Sequence, residues 1–249
     1  MKNSSFWKFV GFSVAVCLFT TMSAIIIPQA SADSFGDPFE GNDLHNPSWE
    51  WQNEPPTWDI SGGNLNIDSQ PNRNVWASDD SHFLYQDTDT DMFDVSTHFR
   101  ANWDADSGVN GILVKSPTDN NWVTVKFWSR DAGPQGHIQY QTRQAGMGPP
   151  DVQWRFGDWG DVELSFRLKK EGNTYTAWYK AEGDEDWMDI GEGTFNLTPP
   201  LQLGIYAGVA AGSGSLKVEY AYFEDHLNPT DVEPEGKVAT TWGIVKSRY

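Results

Sequence analysis

A single cysteine, Cys17, stands in 249 residues, which excludes a disulfide framework and a thiolate zinc site for the bulk of the chain. Positive charge is also scarce. Only 17 Lys and Arg face 35 Asp and Glu, for a net charge of −18, and such a chain repels phosphate backbones and anionic lipid. Nucleic acid is therefore excluded as a partner, while neutral glycans, cationic partners and calcium stay compatible. Between 33 and 225 no segment carries the 3.6-residue period of an amphipathic helix, which excludes a helical bundle there. Catalytic signatures are missing too. There is no G-x-S-x-G elbow, and His45, His82, His98, His137 and His226 lack metalloprotease spacing.

One long apolar run is present, at 9–27. Lys2 and Lys8 precede it and Ala30-Ser31-Ala32 follows it, so 1–32 reads as a secretory signal peptide that carries Cys17 away on cleavage. An uncleaved anchor is the alternative, because the run approaches membrane-spanning length. The expectation is an exported protein, soluble after cleavage and free of disulfides. The first 32 residues hold two lysines and no acid, so their loss makes the remainder more acidic still.

The rest alternates with a period of two. Val162, Leu164, Phe166 and Leu168 interleave with Glu163, Ser165 and Arg167, and a Glu171-Gly172-Asn173 reversal leads into an aromatic and β-branched run at 174–180. Further strands are predicted at 187–190, 203–209 and 216–222. Earlier, 58–60 and 65–67 flank Ser61-Gly62-Gly63-Asn64, a hairpin in which glycine supplies positive φ. Phe93, Val95, Thr97 and Phe99 oppose Asp94, Ser96, His98 and Arg100, and 112–115 and 122–128 bracket a polar turn. Turn signals every 8 to 15 residues predict an all-β, two-sheet antiparallel sandwich at 33–225. A linker-like tail with one short helix is expected at 226–249.

Two blocks carry a family resemblance. LSFRLKKEGNTYTAWYKAEGDEDWMDIGEG followed by LQLGIYAGVAAGSGSLKVEYAYFED, together with SGVNGILVKSPTDNNWVTVKFWS, resembles concanavalin A-like lectin/glucanase sandwiches, and in particular DUF1349 domains and the C-terminal domain of family 43 β-xylosidases. The resemblance implies a concanavalin-like jelly roll. It further implies an accessory or stand-alone module, since in those xylosidases the chemistry belongs to a separate catalytic domain.

Acidic pairs give no hydrolase site. Glu182, Asp184 and Asp186 are spaced by two, but Gly183 and Glu185 between them cannot form the dry face of a strand, and paired-carboxylate hydrolysis needs two rigid carboxyls. Aromatics point to recognition instead. Thirteen tryptophans exceed ordinary packing needs, and an indole face stacks on the C–H face of a sugar ring. If Val123, Val125 and Phe127 face the core, then Trp122, Trp128, Thr124 and Lys126 lie outward. His98, Arg100 and Arg167 are expected beside them as polar neighbours. Asp87, Asp89 and Asp91 alternate as candidate calcium ligands, against which stands a plain solvated acidic loop. The sequence thus reads as a secreted, non-catalytic module that binds a glycan or polysaccharide. A glycoside hydrolase with a site of non-adjacent acids and an adhesive surface protein are the alternatives.

Overall fold

The computed structural model describes residues 34–76, 79–105, 107–119, 121–130, 135–143, 152–156, 161–210 and 213–229. The expected signal segment at 1–32 and the tail from 230 onward lie outside these. Among the described residues there are fourteen strands and no helix: β1 (Glu50–Gln52), β2 (Thr57–Ser61), β3 (Asn64–Ser69), β4 (His82–Thr88), β5 (Met92–Ala105), β6 (Gly108–Lys115), β7 (Trp122–Arg130), β8 (Gln135–Arg143), β9 (Val152–Phe156), β10 (Asp161–Glu171), β11 (Thr174–Ala181), β12 (Met188–Thr194), β13 (Leu201–Val209) and β14 (Gly214–Asp225).

These strands form two seven-stranded sheets. The front sheet runs β1-β4-β13-β6-β7-β8-β9 and the back sheet β12-β11-β10-β5-β14-β3-β2. Neighbours within each sheet pair antiparallel, so the expected two-sheet sandwich is the fold. Gly62 and Gly63, at φ 64° and 76°, turn β2 into β3. That backbone is open to glycine and strained for most other residues.

The two inward faces interdigitate as one core. Val123, Val125 and Phe127 of β7, Ile138 and Tyr140 of β8 and Leu203 and Ile205 of β13 meet Phe99, Phe166, Leu164, Val218 and Tyr220 from the back sheet. Trp103 packs on Phe127 with ring centroids 4.3 Å apart, and Phe99 on Phe166 at 5.1 Å. Each such side chain, fully buried, contributes about 1.5–3 kcal/mol, so this layer closes the sandwich without disulfides.

Two features depart from the simple alternation. From residue 162 onward, β10, β11 and β12 pair in succession, but β13 crosses to the front sheet and β14 returns to lie between β5 and β3. Also, every residue of β13 is buried, on both faces. The segment between β3 and β4 accounts for part of this second covering. Pro71 bridges Val209, Arg73 N–H donates to Val209 O at 2.9 Å, and Val75 is buried against Phe83, Val109, Leu113, Trp122 and Tyr206.

Candidate functional site

Alternation along β7 sorts its side chains as expected. Val123, Val125 and Phe127 enter the core, which leaves Trp122, Thr124, Lys126 and Trp128 on the outer face of the front sheet. Cross-strand register then sets their neighbours: Trp122 opposes Arg143, Thr124 opposes Gln141, Lys126 opposes Gln139 and Trp128 opposes His137. The face is thus a polar strip built by two adjacent strands.

Its two tryptophans differ. Trp122 is fully buried, with Trp76 edge-on to it at 5.7 Å and 62°, and Arg143 Nη1 holds that segment by donating to Trp76 O at 2.7 Å. The expectation of an open stacking surface at Trp122 therefore needs correction: a neighbouring loop covers the indole. Trp128 is half-buried, the only one of Trp122, Thr124, Lys126, Trp128, His137, Gln139 and Gln141 that is not fully buried. The Lys126 ammonium lies 5.8 Å from the centroid of the Trp128 ring, and His137 packs on that ring at 6.0 Å.

The floor beside Trp128 is polar yet covered. Lys126 is 5% exposed and Gln139 0%. Thr124 Oγ1 donates to Ile112 O at 2.7 Å and lies 3.2 Å from the Tyr206 hydroxyl. Among the described residues, neither amide atom of Gln139, nor Trp122 Nε1, has a hydrogen-bond partner. Leaving a buried amide unpaired costs about 1–3 kcal/mol. Sequence reasoning missed Gln139, although His137-Ile138-Gln139-Tyr140-Gln141 alternates as clearly as β7 does.

His98, Arg100 and Arg167 are not part of this face. They lie on β5 and β10, which pair with each other in the back sheet, and their side chains point away from the core on the opposite side of the sandwich. The expectation that they flank Trp122 and Trp128 is overturned because period two specifies a face of a strand and not the sheet to which the strand belongs. There His98 Nδ1 lies 3.0 Å from Ser165 Oγ and Nε2 3.0 Å from Glu163 Oε1, with Tyr222 stacked alongside at 6.3 Å. Arg167 holds Asp94 with two hydrogen bonds, of 2.7 and 2.6 Å, and lies over Trp178 at 5.3 Å. Hydrogen bonding to Asp94 holds the Arg167 guanidinium above its usual pKa. The Ser165–His98–Glu163 line has the order of a nucleophile, base and acid. However, β10 is paired on both edges, so its backbone N–H groups serve the ladder and form no oxyanion hole.

The candidate calcium ligands Asp87, Asp89 and Asp91 lie on β4 and in the turn after it. Among the described residues no three His, Cys, Asp or Glu side chains converge as a metal site. Asp87, next to the last residue of β4, lies opposite Gln202, Asp89 and Asp91 are exposed in the following turn, and Lys170 Nζ approaches Asp91 at 3.9 Å. Glu182, Asp184 and Asp186 are likewise exposed in the β11–β12 turn.

With the fold and this face in view, comparison with known proteins places the chain. The model of a family described as "Protein of unknown function (DUF1349)" matches residues 51–226. The chain belongs to the DUF1349 family. No curated protein matches it. Among solved structures, the GH43B protein of a Bacteroides ovatus xyloglucan PUL is similar with a TM-score of 0.63 at 15% identity, covering 78% of this chain and 39% of that one. A xylan beta-1,4-xylosidase from Bacillus halodurans C-125 gives 0.62 at 12%, over 78% and 39%. A legume lectin-like domain from Entamoeba histolytica gives 0.51 at 12%, over 72% of this DUF1349 chain and 89% of that domain. The chain therefore spans about two-fifths of the length of the two GH43 proteins. Identities this low establish a shared concanavalin-like sandwich and leave function to the site.

Proposed function

We propose that this DUF1349 protein is an exported, non-catalytic glycan-binding module, with Trp128 as the aromatic stacking platform and Lys126 as its polar neighbour on the outer face of the front sheet. The observation that carries the reading is the half-open Trp128 ring set into an otherwise covered polar strip. An indole at the mouth of a polar floor suits a sugar, which presents an apolar C–H face and hydroxyl edges together. Sandwich relatives named for xyloglucan, xylan and lectin-like domains support the same class of ligand. The acidic balance of the chain, −18, favours neutral over anionic polysaccharide. Trp122 supports the floor from beneath its cover, and Arg100, Arg167 and His98 belong to the far side and take no part.

Native affinity electrophoresis in gels containing xylan, xyloglucan or polygalacturonate tests this. The full chain is expected to be retarded by a neutral polysaccharide, Trp128→Ala to migrate as in a blank gel, and Trp187→Ala to behave as wild type. Equal migration of all three proteins in every gel would overturn the reading.

A further inference from the structure

We propose that Gln139 is the hydrogen-bonding centre of this site and that it recognises a pair of adjacent hydroxyls on a neutral sugar. The inference rests on the glycan-binding reading above and adds to it a named recognition group and a ligand class.

A buried carboxamide usually finds partners for both its oxygen and its nitrogen. Gln139 is 0% exposed and has neither among the described residues. Ile138 and Tyr140 on either side are buried in the core, and Lys126 lies opposite in register on β7. Gln139 and Lys126 are the pair next along this face to Trp128 and His137.

A carboxamide offers one acceptor and one donor in a common plane. Two hydroxyls on neighbouring ring carbons present the complementary set, because each hydroxyl can donate or accept. A carboxylate ligand would satisfy only the Nε2–H₂ side and would leave Oε1 facing negative charge. Sites built around a polar group that is unpaired in the free protein discriminate strongly against ligands lacking the matching hydroxyl. A neutral, diol-bearing saccharide is thus the class that completes Gln139.

The test replaces Gln139 with methionine, which has similar volume and no polar group, in the full chain. Titration calorimetry with xylohexaose is combined with a thermal melt of the unliganded protein, using Trp128→Ala as reference. The expected result is at least about a tenfold loss of affinity together with a melting temperature unchanged or raised by about 2–4 °C, since the variant no longer buries an unpaired amide. Affinity retained within twofold in Q139M but lost in W128A would overturn the role of Gln139 and leave the glycan reading standing. Lost affinity with a lowered melting temperature would make Gln139 a structural residue and also overturn the inference. Absence of binding by the wild-type chain to xylohexaose and to the neutral polysaccharide gels would remove both.

Discussion

Trp76 lies edge-on to Trp122 at 5.7 Å and 62°. One indole, carried on the segment between β3 and β4, closes another that β7 presents outward. Because Trp76 itself stays 42% exposed, its removal forfeits only part of an aromatic pair, about 1 kcal/mol. Trp76→Ala is therefore expected to fold, to make Trp122 accessible to acrylamide quenching, and to leave retardation by neutral polysaccharide in place. Unchanged quenching would show that other contacts keep Trp122 covered.

The same segment is tied down by a histidine. His82 is fully buried; its Nδ1 meets Asn53 O and its Nε2 accepts from Gln70 N–H at 3.4 Å. Burial lowers its pKa, aided by the Arg73 charge and opposed by the Asn53 hydrogen bond. A histidine whose folded pKa lies below its unfolded value stabilises the fold above about pH 6.5 and gives up that stability as pH falls through this value. Protonation at Nε2 also removes the acceptor for Gln70. The urea midpoint is expected to fall between pH 7.5 and pH 5, and the fall to shrink in His82→Gln. An equal fall in both proteins would assign the acid sensitivity elsewhere.

At the alkaline end, four tyrosines set the limit. Burial raises the pKa of Tyr140, Tyr175, Tyr206 and Tyr220, and Tyr220 spans the sandwich by donating to Tyr206 O at 2.8 Å. An acid whose folded pKa is raised lends stability that is complete below its unfolded value, near pH 10, and is lost as pH climbs beyond it. Absorbance at 295 nm is expected to show Tyr140, Tyr175, Tyr206 and Tyr220 ionising only as the protein unfolds. Smooth titration of these tyrosines in the folded state would contradict the burial described here.

On the back sheet, Arg167 is a structural residue. Its partner Asp94 has a side chain only 7% exposed, while the guanidinium retains 29%. Arg167→Ala leaves a nearly buried carboxylate unpaired, at roughly 2 kcal/mol, less than for a fully buried pair because solvent reaches the site. Arg100, exposed on the same face, is expected to tolerate alanine within about 0.5 kcal/mol. Neither change is expected to alter polysaccharide retardation. Loss of binding in Arg167→Ala at preserved stability would return the back sheet to the site.

Much of this fold was legible in the sequence, and the reasons differ by element. The Ser61-Gly62-Gly63-Asn64 hairpin and the strand at 93–99 declare themselves locally, through turn glycines and strict alternation. Val123, Val125 and Phe127 likewise fix which side of β7 faces in. What alternation cannot encode is the partner sheet. Nothing in 201–209 announces that β13 leaves the β10–β12 meander, and nothing in His98 or Arg167 says that their strands face away from Trp128. The cover on Trp122 was equally hidden, because it comes from Trp76, which lies 46 positions earlier. Gln139 was readable in principle, since Ile138 and Tyr140 fix its side of the sheet, but its lack of partners is a property of three-dimensional surroundings alone.

The most direct test of glycan recognition at the front sheet is oxidative footprinting of the tryptophans by mass spectrometry, with and without saturating xylohexaose. Trp128 is expected to be oxidised in the free chain and protected by the saccharide, while Trp178 and Trp187, which pack against Arg167 and Lys180, react alike in both samples. Protection of Trp178 or Trp187 with Trp128 unaffected, or no protection at any tryptophan, would contradict the account.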